Sequence, residues 1–193
     1  MNESPFDEAC AHDPDFERHM TEGMAASQNN HGETALRLFA QASALAPQSA
    51  LPHFFSGSEH AAAGRVGPAE ASFASALLLS PEFMLARYQL GLLQFSSQRA
   101  PLALLTWQPL LQLPDTDALL HFVRGFAALA RDQTAHALQH WRAGLACQLA
   151  NAAVADDIGK MVEAVTHLVS PARRAEEPSP SHVLLSGYSR GLH

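Results

Sequence analysis

Residues 50–83 read ALPHFFSGSEHAAAGRVGPAEASFASALLLSPEF. Gly57, Ala69, Phe73 and Pro81 mark this stretch, and their offsets recur on both sides of it. Glycines stand at Gly23, Gly57, Gly91, Gly125 and Gly159, each 34 residues after the last. Twelve residues beyond the first four come Ala35, Ala69, Ala103 and Ala137, and four further on Phe39, Phe73, Trp107 and Trp141. Pro47 and Pro81 close the first two units, and Pro114 sits one place early in the third. The frame is therefore 16–49, 50–83, 84–117 and 118–151, with a partial fifth unit from 152 and no gap. Helical periodicity yields spacings of three and four. A glycine every 34 residues is instead the mark of a repeat architecture.

Each unit reads as two helices. In the second unit LPHFFSGSEHAAA is the first helix, GRVG the break and PAEASFASALLLS the second, with Pro68 suited to a first helical turn. In the fourth, DALLHFVRGFAALA is followed by RDQ and TAHALQHWRAGLAC. Glycine in the first helix and alanine in the second let two backbones approach, and the aromatic fills the space beside them. Pro109 falls inside the second helix of the third unit, where it predicts a bend or interruption.

This pattern resembles the tetratricopeptide repeat (TPR) family over 16–151, with 152–169 as a final helix. The resemblance implies an all-α, right-handed α-solenoid of four TPR helix pairs (16–49, 50–83, 84–117, 118–151) plus a C-terminal capping helix (152–169). An acidic arm, 1–15, precedes the array 16–169, and a tail, 170–193, follows it. The sequence departs from the family in places. His19, His53, Arg87 and His121 replace a large apolar residue, Leu90 alone keeps the leucine before the glycine, and Leu110 is oversized where Ala42, Ala76 and Gly144 stand elsewhere.

The resemblance also implies that the second, fifth, ninth and twelfth positions of each unit face a concave groove. These are Glu17, Met20, Met24 and Ser27; Leu51, Phe54, Ser58 and Ala61; Leu85, Tyr88, Leu92 and Phe95; Leu119, Phe122, Phe126 and Leu129. Units three and four thus place eight large apolar side chains there, the composition of a binding surface unless the chain's own helices cover them. The expected partner-binding residues are Met20, Met24, Leu51, Phe54, Leu85, Tyr88, Leu92, Phe95, Leu119, Phe122, Phe126 and Leu129. The matching positions of the fifth unit, Ala153, Asp156, Lys160 and Glu163, are mostly polar, whereas Val154, Ile158, Met161, Val162, Val165 and Leu168 form an apolar stripe. One apolar and one polar face suit a terminal capping helix. No lysine and asparagine set stands at the inward positions, which argues against a clamp for a peptide carboxylate.

The chain has 193 residues and a formal charge of −7, from 12 Lys and Arg against 19 Asp and Glu. That balance argues against a duplex-binding face or a polybasic membrane patch. No apolar run approaches a membrane span, and the N-terminus lacks the basic and apolar regions of a signal peptide. Two cysteines, Cys10 and Cys147, exclude a disulfide framework or four-thiolate zinc site, so a reducing cytoplasm is expected. Lys160 is the sole lysine, and this arginine and alanine bias suggests a GC-rich bacterial genome.

His136 and His140 have metal-compatible spacing on one helix, with Asp132 in the preceding turn, but read as solvent-facing; His19, His53 and His121 read as packing residues at a helix seam. Ser56, Ser58, Glu59, His53 and His60 are neighbours on one helix, where nucleophile, base and orienting acid do not align. No phosphate loop, nucleophile elbow or zinc-protease motif occurs, so no catalytic residue, metal ligand or cofactor is assigned. Cys147 reads as a small buried hydrophobe and Cys10 as a thiol with nothing to activate it.

The expected function is non-catalytic binding of an apolar peptide or amphipathic helix, as a chaperone or adaptor. The small acidic chaperones of type III secretion translocators are similar, with three repeats rather than four. The alternative is a structural subunit that uses the groove or tail for self-assembly, as a homo-oligomer or within a larger complex. The Pro- and Ser-rich stretch after Val169 leads into an apolar segment, 182–192, with Val183, Leu184, Leu185, Tyr188 and Leu192 as expected docking residues. No nucleic-acid partner and no membrane insertion are expected.

Overall fold

The computed structural model describes residues 13–147 and 152–169. Among them are nine α-helices, one 3-10 helix and no strand. The helices are α1 (Pro14–Gln28), α2 (Gly32–Leu45), α3 (Leu51–Ala62), α4 (Val66–Leu79), α5 (Met84–Ser96), α6 (Ala100–Thr106), α7 (Ala118–Leu129), α8 (Thr134–Ala146) and α9 (Ala152–Val169), with the 3-10 helix at Gln108–Gln112. The Asp13 carboxylate caps α1, accepting from the Asp15 and Phe16 amides at 2.9 and 3.3 Å, and Pro14 supplies the first turn. The helix thus begins two residues before the repeat frame.

The chain divides into two compact units between Ala86 and Arg87. In the first, α1 packs on α2, α2 on α3 and α3 on α4. In the second, α7 packs on α8 and on the 3-10 helix, and α8 packs on α9.

The periodic glycines explain the pairing. A Cβ on Gly23 would lie 2.6 Å from Phe39 Cε1, and one on Gly57 would lie 2.7 Å from the Phe73 ring. Gly91 and Gly125 lie still closer under the indoles of Trp107 and Trp141. In every pair the aromatic of the second helix rests on the bare backbone of the first, and all four rings are essentially fully buried. The second unit adds a hydrogen bond: Trp107 Nε1–H donates to the Tyr88 carbonyl at 3.0 Å and Trp141 Nε1–H to the Phe122 carbonyl at 3.2 Å. Gly159 keeps the spacing but has nothing within 4 Å of its added Cβ.

A second feature with the same period lies in the turns. Asn30, Gly64, Gln98 and Asp132 all have left-handed backbone, with φ of 60°, 70°, 62° and 58°. Each ends the first helix of its pair in a Schellman arrangement. Its amide reaches a carbonyl three residues back, and the next amide reaches one five back, as in Asn30 N to Ser27 O (2.9 Å) and His31 N to Ala26 O (2.8 Å). Asn, Gly and Asp suit this backbone; Gln98 does not. Gln98→Gly is therefore expected to stabilise the protein by about 0.5–1 kcal/mol. A thermal melt that shifts down instead would count against this account.

The expected interruption at Pro109 is present. Proline offers no amide to the Leu105 carbonyl, so α6 stops at Thr106 and the chain tightens into the 3-10 turn, with Leu110 N bonded to Trp107 O at 2.9 Å. The change of helix type lets Leu110 occupy a fully buried position, where the other units hold alanine or glycine. On α9, Val154, Ile158 and Val165 are buried, and Ala153, Asp156, Lys160 and Glu163 are exposed.

Candidate functional site

The surface that the repeat frame assigns to a ligand is only partly a surface. In the first unit, Met20 is buried in a core with Phe16, Ala35, Phe39, Ala42 and Ala46, and Met24 packs half-buried against it. Phe54 is also buried, with its ring centroid 4.8 Å from Phe83, 5.3 Å from Phe55 and 5.9 Å from Phe73. Leu51 is 45% exposed, and Leu85 is half-buried.

Of the eight apolar side chains expected to face a ligand in repeats three and four, seven lie in the second unit, and four of these are not open surface. Tyr88, Leu92, Phe122 and Phe126 are buried, Phe122 and Phe126 completely. The cause is the number of rings packed together here. Phe126 stands between Trp107 and Trp141, 5.2 Å from each, and 5.1 Å from Phe95. Tyr88 lies 6.3 Å from both Trp107 and Phe122. Phe122 closes over Gly144, whose absent side chain leaves room for the ring. In the structure these residues belong to the core of the unit. Phe95, Leu119 and Leu129 are half-buried and keep some surface. Met20 and Phe54 are corrected in the same way in the first unit.

Apolar surface that the inward positions did not include appears elsewhere. Leu78 is 84% exposed and Leu105 68%, and Leu45, Val66, Leu102 and Leu111 are exposed as well. The signal for these residues lies in the runs LLL at 77–79 and PLALL at 101–105, where leucine exceeds what a helix stripe needs.

The histidines assemble no metal site: among the described residues no group of three metal-ligating side chains is placed to hold an ion. His53 Nε2 lies 3.3 Å from Ser43 Oγ, and His121 Nε2 lies 2.8 Å from the Asp115 carbonyl. The His121 and His140 rings are 6.5 Å apart. Burial, then the charge of Arg124 and the neighbouring His121 and His136, hold His140 below the usual imidazole range. Burial lowers His60 likewise, with Arg65 beside it. Ser27 Oγ donates to the Glu59 carboxylate, and Arg65 pairs with Glu33 at 2.8 Å; both link the first and second repeats. Cys147 ends α8 half-buried, with its thiol 3.4 Å from the Ala143 carbonyl. Cys10 and the segment 182–192 lie outside the described residues.

One ionisable group on the capping helix is held against its chemistry. Asp157 Oδ1 is buried without a hydrogen-bond partner. Burial pushes its pKa up to about 6, against the pull of Lys160 and with Asp156 adding to the rise. A folded-state pKa above the unfolded value of 3.8 means that the neutral form favours folding. That contribution is full below pH 3.8 and is lost as the pH rises through about 6. Asp157→Asn removes the loss, so at pH 7–8 the variant is expected to gain about 1 kcal/mol after allowance for partial solvent exposure. The gain should vanish near pH 4; melting curves across this range check it.

No protein-family model matches the chain, and no curated protein matches it. Solved structures do. The chain is similar to MamA (residues 41–end) from Desulfovibrio magneticus RS-1, at 14% identity over 93% of this chain and 94% of that one, with a TM-score of 0.60. It is similar to a crystal structure of MamA at 17% identity over 72% and 82% of the two chains, with a TM-score of 0.57. It is also similar to YrrB, described as a TPR protein with an unusual peptide-binding site, at 19% identity over 96% and 91%, with a TM-score of 0.56. At these identities the likeness speaks to fold. The paired helices, the ring-on-glycine contact in each pair and the structural matches establish that this chain has the tetratricopeptide-repeat fold, an all-α solenoid closed by a capping helix.

Proposed function

We propose that the protein is a non-catalytic protein-interaction module that binds an apolar peptide or an amphipathic helix, as a chaperone or adaptor. The observation that carries this reading is the apolar surface left on the first helices after the core is filled. It comprises exposed Leu51, with half-buried Met24 and Leu85, in one unit, and half-buried Phe95, Leu119 and Leu129 in the other. Hydrophobic side chains kept partly wet beside a complete core are the usual material of a binding surface. YrrB, similar in fold, is described by its peptide-binding site. No helix among the described residues is long and apolar enough to cross a membrane. The test is affinity capture from the native host, followed by direct titration of the partner found. Leu51→Asp and Leu119→Asp should each weaken binding at least about tenfold. Both variants should keep the wild-type melting curve. Undiminished binding by both ends this reading.

A second reading, self-assembly, is favoured by α4. Its exposed residues, Val66, Gly67, Pro68, Ala71, Ala74 and Leu78, carry no charge. A small-residue face with one protruding leucine suits close packing on a second copy. Under that reading Leu78→Asp lowers the mass observed in solution.

A further inference from the structure

The strongest unexplained surface in the second unit is the outer side of α6 and the turn after it. From Ala100 to Pro114 there is no charged residue. Leu102 and Leu105, three apart and so on one helix face, are exposed, and Leu111 is exposed on the following 3-10 turn. This surface follows from the break at Pro109. With α6 only seven residues long, its leucines have no continuing helix to join, and of the leucines from 102 to 113 only Leu110 is fully buried.

We propose that this face is the docking site for the chain's own segment 182–192, which covers Leu102, Leu105 and Leu111. Three observations select that occupant. The first is chemistry. The segment offers Val183, Leu184, Leu185, Tyr188 and Leu192 and one formal charge, Arg190, against a face that is uncharged and apolar. The second is the loss of the alternative seat. Four of the inward positions of the same unit are filled by Tyr88, Leu92, Phe122 and Phe126, which leaves only the partly covered Phe95, Leu119 and Leu129 there. The third is reach. The described chain ends at Val169 on α9, which packs on α8; α8 packs on α7, and α7 on the 3-10 helix. Three interhelix steps amount to about 30 Å. The stretch from Ser170 to His182 spans up to about 40 Å when extended, so the segment reaches the face without leaving its own unit.

The experiment is hydrogen exchange of the full chain. In a variant carrying Leu184→Asp and Leu185→Asp, amides of residues 100–112 should exchange about fivefold faster or more, with α1 to α4 unchanged. In Leu105→Asp, at an exposed position that leaves the fold intact, the protection of residues 182–192 should fall in the same proportion. Both effects should persist on dilution. If residues 100–112 exchange at the wild-type rate in the segment variant, and residues 182–192 do so in Leu105→Asp, the proposal is wrong. If protection at 100–112 disappears on dilution, the occupant is the segment of a second copy and same-chain docking is overturned. Neither result bears on Leu51 and Leu119, so this proposal and the partner-binding reading fail independently.

Discussion

Phe122→Asp is expected to unfold the second unit rather than only disarm a binding surface. The ring is fully buried, lies 6.3 Å from Tyr88 and covers the bare backbone of Gly144. A carboxylate there loses the burial of an aromatic side chain, about 3–5 kcal/mol for truncation alone, and adds an unpaired charge at a fully buried position. The sum is comparable to the whole stability margin of a typical domain. Circular dichroism should show lost helix at neutral pH, with recovery of residues 14–79 if the first unit holds by itself. Leu119→Asp, three residues away at a half-buried position, is the control that should stay folded. A Phe122→Asp chain with a wild-type melting curve would return this residue to the binding surface.

Trp141→Ala should cost about 3–5 kcal/mol, since it empties a site packed by Phe126 and by the backbone of Gly125 and removes the bond to the Phe122 carbonyl. The complementary change, Gly125→Ala, places a methyl inside the indole and should cost about 1–3 kcal/mol despite the better helix propensity of alanine. The two sites are one contact. Together in one chain they should cost clearly less than the sum, because the methyl added at position 125 enters the space the indole vacates. Gly159→Ala is the internal reference. It holds the same repeat position with open space around it, so it should stabilise α9 by up to about 1 kcal/mol. Denaturant titrations of the four variants decide the matter; additive costs at 125 and 141 would mean that the glycine and the ring do not meet.

The contrast between Gly125 and Gly159 marks the boundary between pattern and packing. Gly23, Gly57, Gly91, Gly125 and Gly159 and the aromatics sixteen residues after the first four are visible in the chain itself. They determine the repeat, the pairing of helices and the stop at Gly159, which has Ala175 in place of a ring. The broken helix at Pro109 was equally legible, because a missing amide is a local fact. The apolar and polar faces of α9 followed from spacing alone. The left-handed turns at Asn30, Gly64, Gln98 and Asp132 carry a weak signal, since three of the four residue types tolerate that backbone and the fourth hides the period.

What the chain alone did not decide is which side of a large apolar residue meets water. Tyr88, Leu92, Phe122 and Phe126 hold repeat positions that the family turns inward. Repeat position sets a direction from the helix axis. Burial depends instead on how many atoms of neighbouring helices arrive within contact distance. In the second unit the indoles of Trp107 and Trp141 pack against Tyr88 and Phe126, and the Phe122 ring closes over Gly144, so these side chains are enclosed. Conversely Leu102, Leu105 and Leu111, which the repeat frame does not single out, are left outside where the chain changes helix type. Periodicity, a local property, determined the order and pairing of the helices. Exposure, a property of the space between helices, was decided only by the tertiary packing of rings against glycines.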